Sequence, residues 1–232
     1  ESSAALPRGT LSVGMPISWS EHVTYPVIER FRREHPAVRV KLVVNSAEAL
    51  AMAMNNGEIQ FAVLTEIDDL TPFRATPILE DGLFLVGPVA DLQGRASATL
   101  EALVEFPMIL PLNSTVGLQR IDRRLAARGL ALHCVMEAPS TNILPLVACG
   151  AGFTAIGAAA LPPLTSDSPY TAIPILDMSM TWTLATPRNR PKTAAISAFE
   201  AMVIEQVQKA VGSGDWKTAR ILLAPAPDAS KP

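Results

Sequence analysis

The stretch from Thr10 to Pro36, TLSVGMPISWSEHVTYPVIERFRREHP, switches hydrophobic period partway along, and that switch constrains the fold more than any other feature. Leu11, Val13 and Met15 alternate with small residues, the two-residue period of a short strand. Pro16 to Ser20 breaks the pattern. Val23, Val27 and Phe31 then recur four apart with Ile28 beside them, while Glu29, Arg30, Arg32 and Arg33 take the other face. The prediction is strand, turn, helix, with one helical stripe buried and the other wet. Ser18 and Ser20 stand where that helix begins. A hydroxyl there either caps free backbone N–H groups or shares them with a bound anion.

The unit then repeats. Val38 to Val44 alternates as a second strand, and Asn45-Ser46 leads into a helix from Ala47 to Asn55 that Asn56-Gly57 stops. Ile59 to Leu64 is nearly all apolar, as a strand covered on both faces must be, and runs into the acidic loop Thr65-Glu66-Ile67-Asp68-Asp69. Two βαβ-type units in succession predict a parallel sheet, with ligands at the carboxyl ends of its strands. The loops at Ser18, Ser46 and Thr65 fall on that edge.

Leu79 to Gly87 is predicted as a further strand, after which the pattern restarts. Thr99 caps a short helix, Leu100 to Glu105, and Met108 to Leu110 is a strand. An Arg-rich helix follows from Val116 to Arg128, closed by Gly129. Next come a strand from Leu130 to Val135, a helix through Leu144, Leu146 and Val147 ending at Gly150, and a strand from Phe153 to Ile156. Thr181 to Thr186 is a late strand and Pro187 to Pro191 a polar connector. From Thr193, Ile196, Phe199, Val203 and Val207 follow helical spacing. Trp216 to Leu223 is read as a short helical turn and Ala224 to Pro232 as disordered.

Composition removes several function classes. The 232 residues suffice for one large or two small domains, and 49% hydrophobic content supports a packed core. A net charge of −3 with no clustered Lys/Arg face argues against nucleic-acid binding by this chain. Cys134 and Cys149 lack metal-ligand spacing and are read as buried thiols in a reducing compartment. No apolar run reaches the roughly 18 residues of a membrane span, so a soluble, cytoplasmic protein is expected. There is no G-x-S-x-G elbow, no P-loop and no His-rich metal spacing, and His22, His35 and His133 are solitary, so neither an enzyme nor a metal or cofactor is expected.

Three stretches together carry a resemblance. They are GTLSVGMPISWSEHVTYPVIERFRREHPAVRVKL, NNGEIQFAVL and STNILPLVACGAGFTAIG, followed by LATPRNRP before the last helix. In order and spacing the chain resembles the effector-binding domain of LysR-type transcriptional regulators. Gln60 stands where an aspartate is common and Gly157 where a proline is frequent. GDWKTARIL looks like the nitrogen-assimilation branch of that family.

The resemblance implies an α/β fold of the type II periplasmic-binding-protein kind, with two Rossmann-like lobes joined by two crossovers. Its implied division is a linker remnant at 1–8, lobe one at 9–87 plus 188–211, lobe two at 88–187 and a C-terminal extension at 212–232. It implies a small anionic effector in the interlobe cleft, touched by Ser18, Trp19, Ser46 and Thr65 of lobe one and Asn113, Ser114, Thr141 and Thr154 of lobe two. For each hydroxyl the competing role is local capping, and for Trp19, which could stack on or wall the ligand, it is an apolar lid. Gly150 and Gly152 are read as structural. A homodimer is implied, the Val23 to Arg33 helix packing against the Val116 to Arg128 helix of a second copy, with a tetramer at full length. DNA contact is expected only through a winged helix-turn-helix preceding Glu1. A transporter's solute-binding protein would share the fold and remains the alternative.

Overall fold

The computed structural model describes residues 7–112, 116–214, 216 and 218–223. These fall into two compact units, residues 1–80 with 181–232, and residues 81–180. The chain passes from one to the other inside two long strands, β4 (Phe73–Pro88) and β8 (Tyr170–Pro187). The division therefore falls at Glu80/Asp81 and Met180/Thr181, where the sequence reading placed it near Gly87 and Pro187. An uninterrupted strand gives no local signal where one core ends and another begins.

Unit 1 is built on β1 (Gly9–Pro16), flanked in parallel by β2 (Val38–Asn45) and β3 (Phe61–Thr65). The returning part of β8 pairs antiparallel with β3, Ala62 opposite Ala185 and Thr65 opposite Trp182. Alternation in β1 buries Leu11, Val13 and Met15. Gly14 allows α2 (Ala47–Asn55) to lie close on the sheet, because a Cβ there would meet Leu50 Cδ2 at 2.8 Å and Ile59 Cδ1 at 2.6 Å. The last long helix of the chain belongs to this unit, which the sequence pattern alone did not show. It runs Ala194–Gly212 (α6 below), and its Phe199 ring sits edge-on to Phe31 at 5.3 Å and to Phe61 at 5.4 Å.

The first helix departs from its predicted start. Residues Ile17–Trp19 form a 3-10 turn and Ser20–Thr24 a π turn before α1 (Tyr25–Glu34) begins. Pro26 supplies the reason, since it has no N–H to donate to His22. The Tyr25 N–H bonds back to the Ser20 carbonyl, and the freed His22 carbonyl accepts from Gln206 Nε2 at 2.8 Å. Neither Ser18 nor Ser20 caps α1, whose N-cap position is Thr24.

In unit 2, β4 pairs antiparallel with β7 (Thr154–Gly157), Val86 opposite Thr154. A four-residue helix, α3 (Val89–Leu92), follows β4, and a 3-10 turn occupies Glu101–Glu105 where a helix was predicted, its Ala102 N–H bonded to Thr99 Oγ1 at 3.2 Å. β5 (Met108–Pro111) and β6 (Cys134–Ala138) pair in parallel, with α4 (Val116–Ala126) between them in sequence and α5 (Ser140–Ala148) after them. A small core of Val86, Ile109, Ala138, Ile143 and Val147 fixes this arrangement.

Several predicted segments change. The strand expected from Leu130 to Val135 lies at Cys134–Ala138, since residues Ala127 to Leu130 close the preceding helix with Gly129 at φ +69°. Both cysteines are exposed rather than buried. Cys134 opens an exposed strand, and Cys149 ends α5 with its thiol on the Leu146 carbonyl at 3.1 Å. In the span 216–223 read as a helical turn, the described residues form no helix, and Arg220–Ile221 form β9, antiparallel to Leu79–Glu80 of β4. The segment 224–232 read as disordered lies outside the described residues.

Candidate functional site

Within unit 1, the carboxyl ends of β1, β2 and β3 carry Ser18, Ser46 and Thr65. Ser18 sits half-buried in the 3-10 turn. Ser46 is the N-cap of α2, its Oγ accepting from the Ala49 N–H at 3.4 Å and its own N–H bonded to Asn45 Oδ1 at 2.9 Å. That long cap bond leaves the hydroxyl exposed and the first-turn N–H groups of α2 at the strand edge.

Thr65 is buried and donates its hydroxyl to the Thr181 carbonyl at 3.0 Å. The next residue, Glu66, takes a left-handed backbone (φ 51°) and accepts the Thr181 N–H at 2.8 Å. Together they hold both backbone groups of the residue where the chain re-enters unit 1. Sequence reasoning missed Glu66, because nothing in an acidic loop distinguishes a carboxylate that reaches a distant strand. The same loop carries Asp69, whose carboxyl is held below its ordinary range by hydrogen bonds from the Thr71 hydroxyl and N–H.

Trp19 is enclosed inside unit 1. Its ring lies 5.2 Å from Trp182, tilted, and 5.2 Å from Trp216, edge-on. Among the described residues, its indole N–H, that of Trp182 and the Thr24 hydroxyl find no hydrogen-bond partner. The burial assigns Trp19 to packing, where the sequence suggested a stacking face or wall.

Within unit 2, Thr141 is exposed in the first turn of α5, its hydroxyl bonded to Asn142 Oδ1 at 3.0 Å, and Thr154 is buried at the start of β7. Asn113 and Ser114 lie outside the described residues. Asp81, fully buried, accepts the Ala159 N–H at 3.0 Å and so holds the 3-10 turn after β7, another role the sequence did not reveal. Among the described residues, no cluster of His, Cys, Asp and Glu is arranged to hold a metal, and no helix is long and apolar enough to cross a membrane.

Two α/β units linked by two strand crossovers, with helices opening at the carboxyl ends of parallel strands, define an α/β fold of the periplasmic-binding-protein type. The chain belongs to the LysR substrate binding domain family, whose pattern matches residues 4–208. It is 30% identical over 151 residues to the nitrogen assimilation regulatory protein nac of Klebsiella aerogenes, covering 64% of this chain and 49% of that protein. The chain thus spans about half the length of that relative. The fold is similar to the CcmR regulatory domain of Synechocystis in complex with 2-PG (TM-score 0.76, 16% identity, 85% of this chain and 97% of that one). It is also similar to a reduced form of OxyR from N. meningitidis (TM-score 0.74, 16% identity, 93% and 100%).

Proposed function

We propose that this chain is the sensing part of a cytoplasmic LysR-type transcriptional regulator and binds a small metabolite anion. The observation that carries the reading is the start of α2 and α5. Each helix opens one residue after a strand that is parallel-paired, β2 through Ser46 and β6 through Pro139, so its unpaired first-turn N–H groups and dipole stand at the strand's carboxyl end. Ser18, Ser46 and Thr65 from unit 1 and Thr141 and Thr154 from unit 2 are the proposed polar contacts, with Asn113 and Ser114 as further candidates.

The relatives that are HTH-type regulators support regulation over catalysis or solute transport. In this reading the effector shifts the domain's conformational balance, and DNA is contacted by a helix-turn-helix outside this chain. A homodimer, assembling to a tetramer at full length, transmits the shift. Tyr25, Leu42 and Val44 are exposed apolar residues on α1 and β2, where this reading packs α1 against α4 of a second copy, and sedimentation showing only monomer at high concentration would count against that pairing.

Thermal unfolding with added 2-PG, phosphate, citrate and short carboxylates tests the effector class. At a hundredfold excess over Kd, a ligand specific for the folded state adds about 2.7 kcal/mol. For a chain of this size that raises Tm by roughly 5–10 °C. Stabilisation by neutral or cationic solutes, with none from any anion, would overturn the proposal.

A further inference from the structure

We infer that Gln206 of α6 is the positioning residue for the turn that carries Ser18. The inference deepens the effector reading and rests on it for the use made of Ser18.

The turn is irregular because it holds one residue more than an α-helical turn does. Across Ser20–Thr24 the backbone bonds widen to a π pattern, the Tyr25 N–H reaching the Ser20 carbonyl. Pro26 enforces this at His22. It has no N–H to offer that carbonyl, and its ring crowds the carbonyl four residues back and pushes it outward. Val23 and Thr24 beside it are buried, so a carbonyl left bare there is costly. Gln206 Nε2 meets it, donating at 2.8 Å from a position 184 residues away in the chain.

The base from which Gln206 reaches is fixed. Val203 and Val207 on either side of it are buried, and Phe199 of the same helix meets Phe31 of α1 edge-on at 5.3 Å. Its neighbour Glu205 pairs with Arg30 of α1 at 2.5 Å. The consequence falls on Ser18. Were residues 20–24 to adopt α-helical bonding, whatever precedes them would shift by one residue, about 1.5 Å along the axis and roughly 100° around it. Ser18 would turn away from the strand end, and Trp19 would leave its place beside Trp182 and Trp216. Proline pushes the His22 carbonyl out and Gln206 holds it there, so the two residues together select the π form.

Four variants test this, read by hydrogen exchange and by calorimetric binding of inorganic phosphate and citrate. Gln206→Leu removes the donor, Gln206→Glu replaces it with an acceptor, and Gln206→Lys keeps an N–H donor at similar reach. The leucine and glutamate variants are expected to raise exchange in residues 17–24 about tenfold, with α2 unchanged, and to weaken anion binding about tenfold. Gln206→Lys is expected to restore both. Glu205→Gln loses only the exposed pair to Arg30 and is expected to match the parent. The inference is overturned if residues 17–24 exchange as in the parent, if α2 loosens equally, or if Glu205→Gln behaves like Gln206→Leu. It is also overturned if the lysine variant restores nothing, or if exchange rises while affinity stays the same. Absence of binding by the parent itself sinks the effector reading, and the binding role of Gln206 with it; the exchange result then still decides whether Gln206 sets the turn.

Discussion

Replacing Trp19 with phenylalanine sets two opposed effects against each other at the centre of the aromatic cluster. The indole is fully enclosed, and among the described residues its N–H finds no acceptor. Removing that donor relieves an unpaired buried group that costs about 1–3 kcal/mol. The smaller ring leaves a void of roughly 40 Å³, about 1 kcal/mol at ~24 cal/mol per Å³, plus about 1 kcal/mol of lost apolar burial. Trp19→Phe is therefore expected to stay within about 1 kcal/mol of the parent, whereas Trp19→Ala, which strips the contacts to Trp182 and Trp216, should lose ~3–5 kcal/mol. Urea unfolding followed by far-UV circular dichroism measures both without relying on tryptophan emission. If the phenylalanine variant loses as much as the alanine variant, the N–H has an acceptor of consequence and the packing role assigned to Trp19 is wrong.

Gly152→Ala should destabilise by roughly 1–3 kcal/mol, because φ is +157° and a Cβ would stand 2.6 Å from the Pro107 carbonyl oxygen. Gly150→Ala, at φ +81° with open space around it, should cost only about 1 kcal/mol, and equal urea midpoints for the two variants would contradict the close approach at Gly152. Asp69→Asn addresses pH. The folded carboxyl is held below its ordinary value, so its contribution is present above an unfolded pKa of about 3.9 and is lost as pH falls through the lower folded value. Asp69 is exposed, so the effect is small: parent and variant midpoints should differ slightly at pH 7 and converge by about pH 3. A gap that widens with acidification would refute the assignment.

The elements legible in the sequence are those with both ends written locally. α2 matches its predicted bounds because Ser46 caps it and Asn56-Gly57 stops it within its own stretch. The apolar spacing of α6 likewise appears as predicted, with Thr193 accepting the Ile196 N–H at 3.3 Å. β8 was legible only from Thr181 onward, since Pro174 and the left-handed Asp177 interrupt the alternation of its first half. Of the candidate residues, Ser46 shows the capping role weighed for it, and Thr65 is committed to a carbonyl that no local pattern pointed to.

By itself the sequence determined the alternation of strand and helix, the family and the strand-end positions of Ser18, Ser46 and Thr65, because hydrophobic period, caps and stops act over a few residues. Only tertiary structure decided that Trp19 is enclosed, that Glu66 and Thr65 grip Thr181, and that the segment after α6 returns to pair with β4. Each of these depends on partners more than a hundred residues away in the chain. Contacts of that range follow from how a core closes, and leave no periodic trace in either partner.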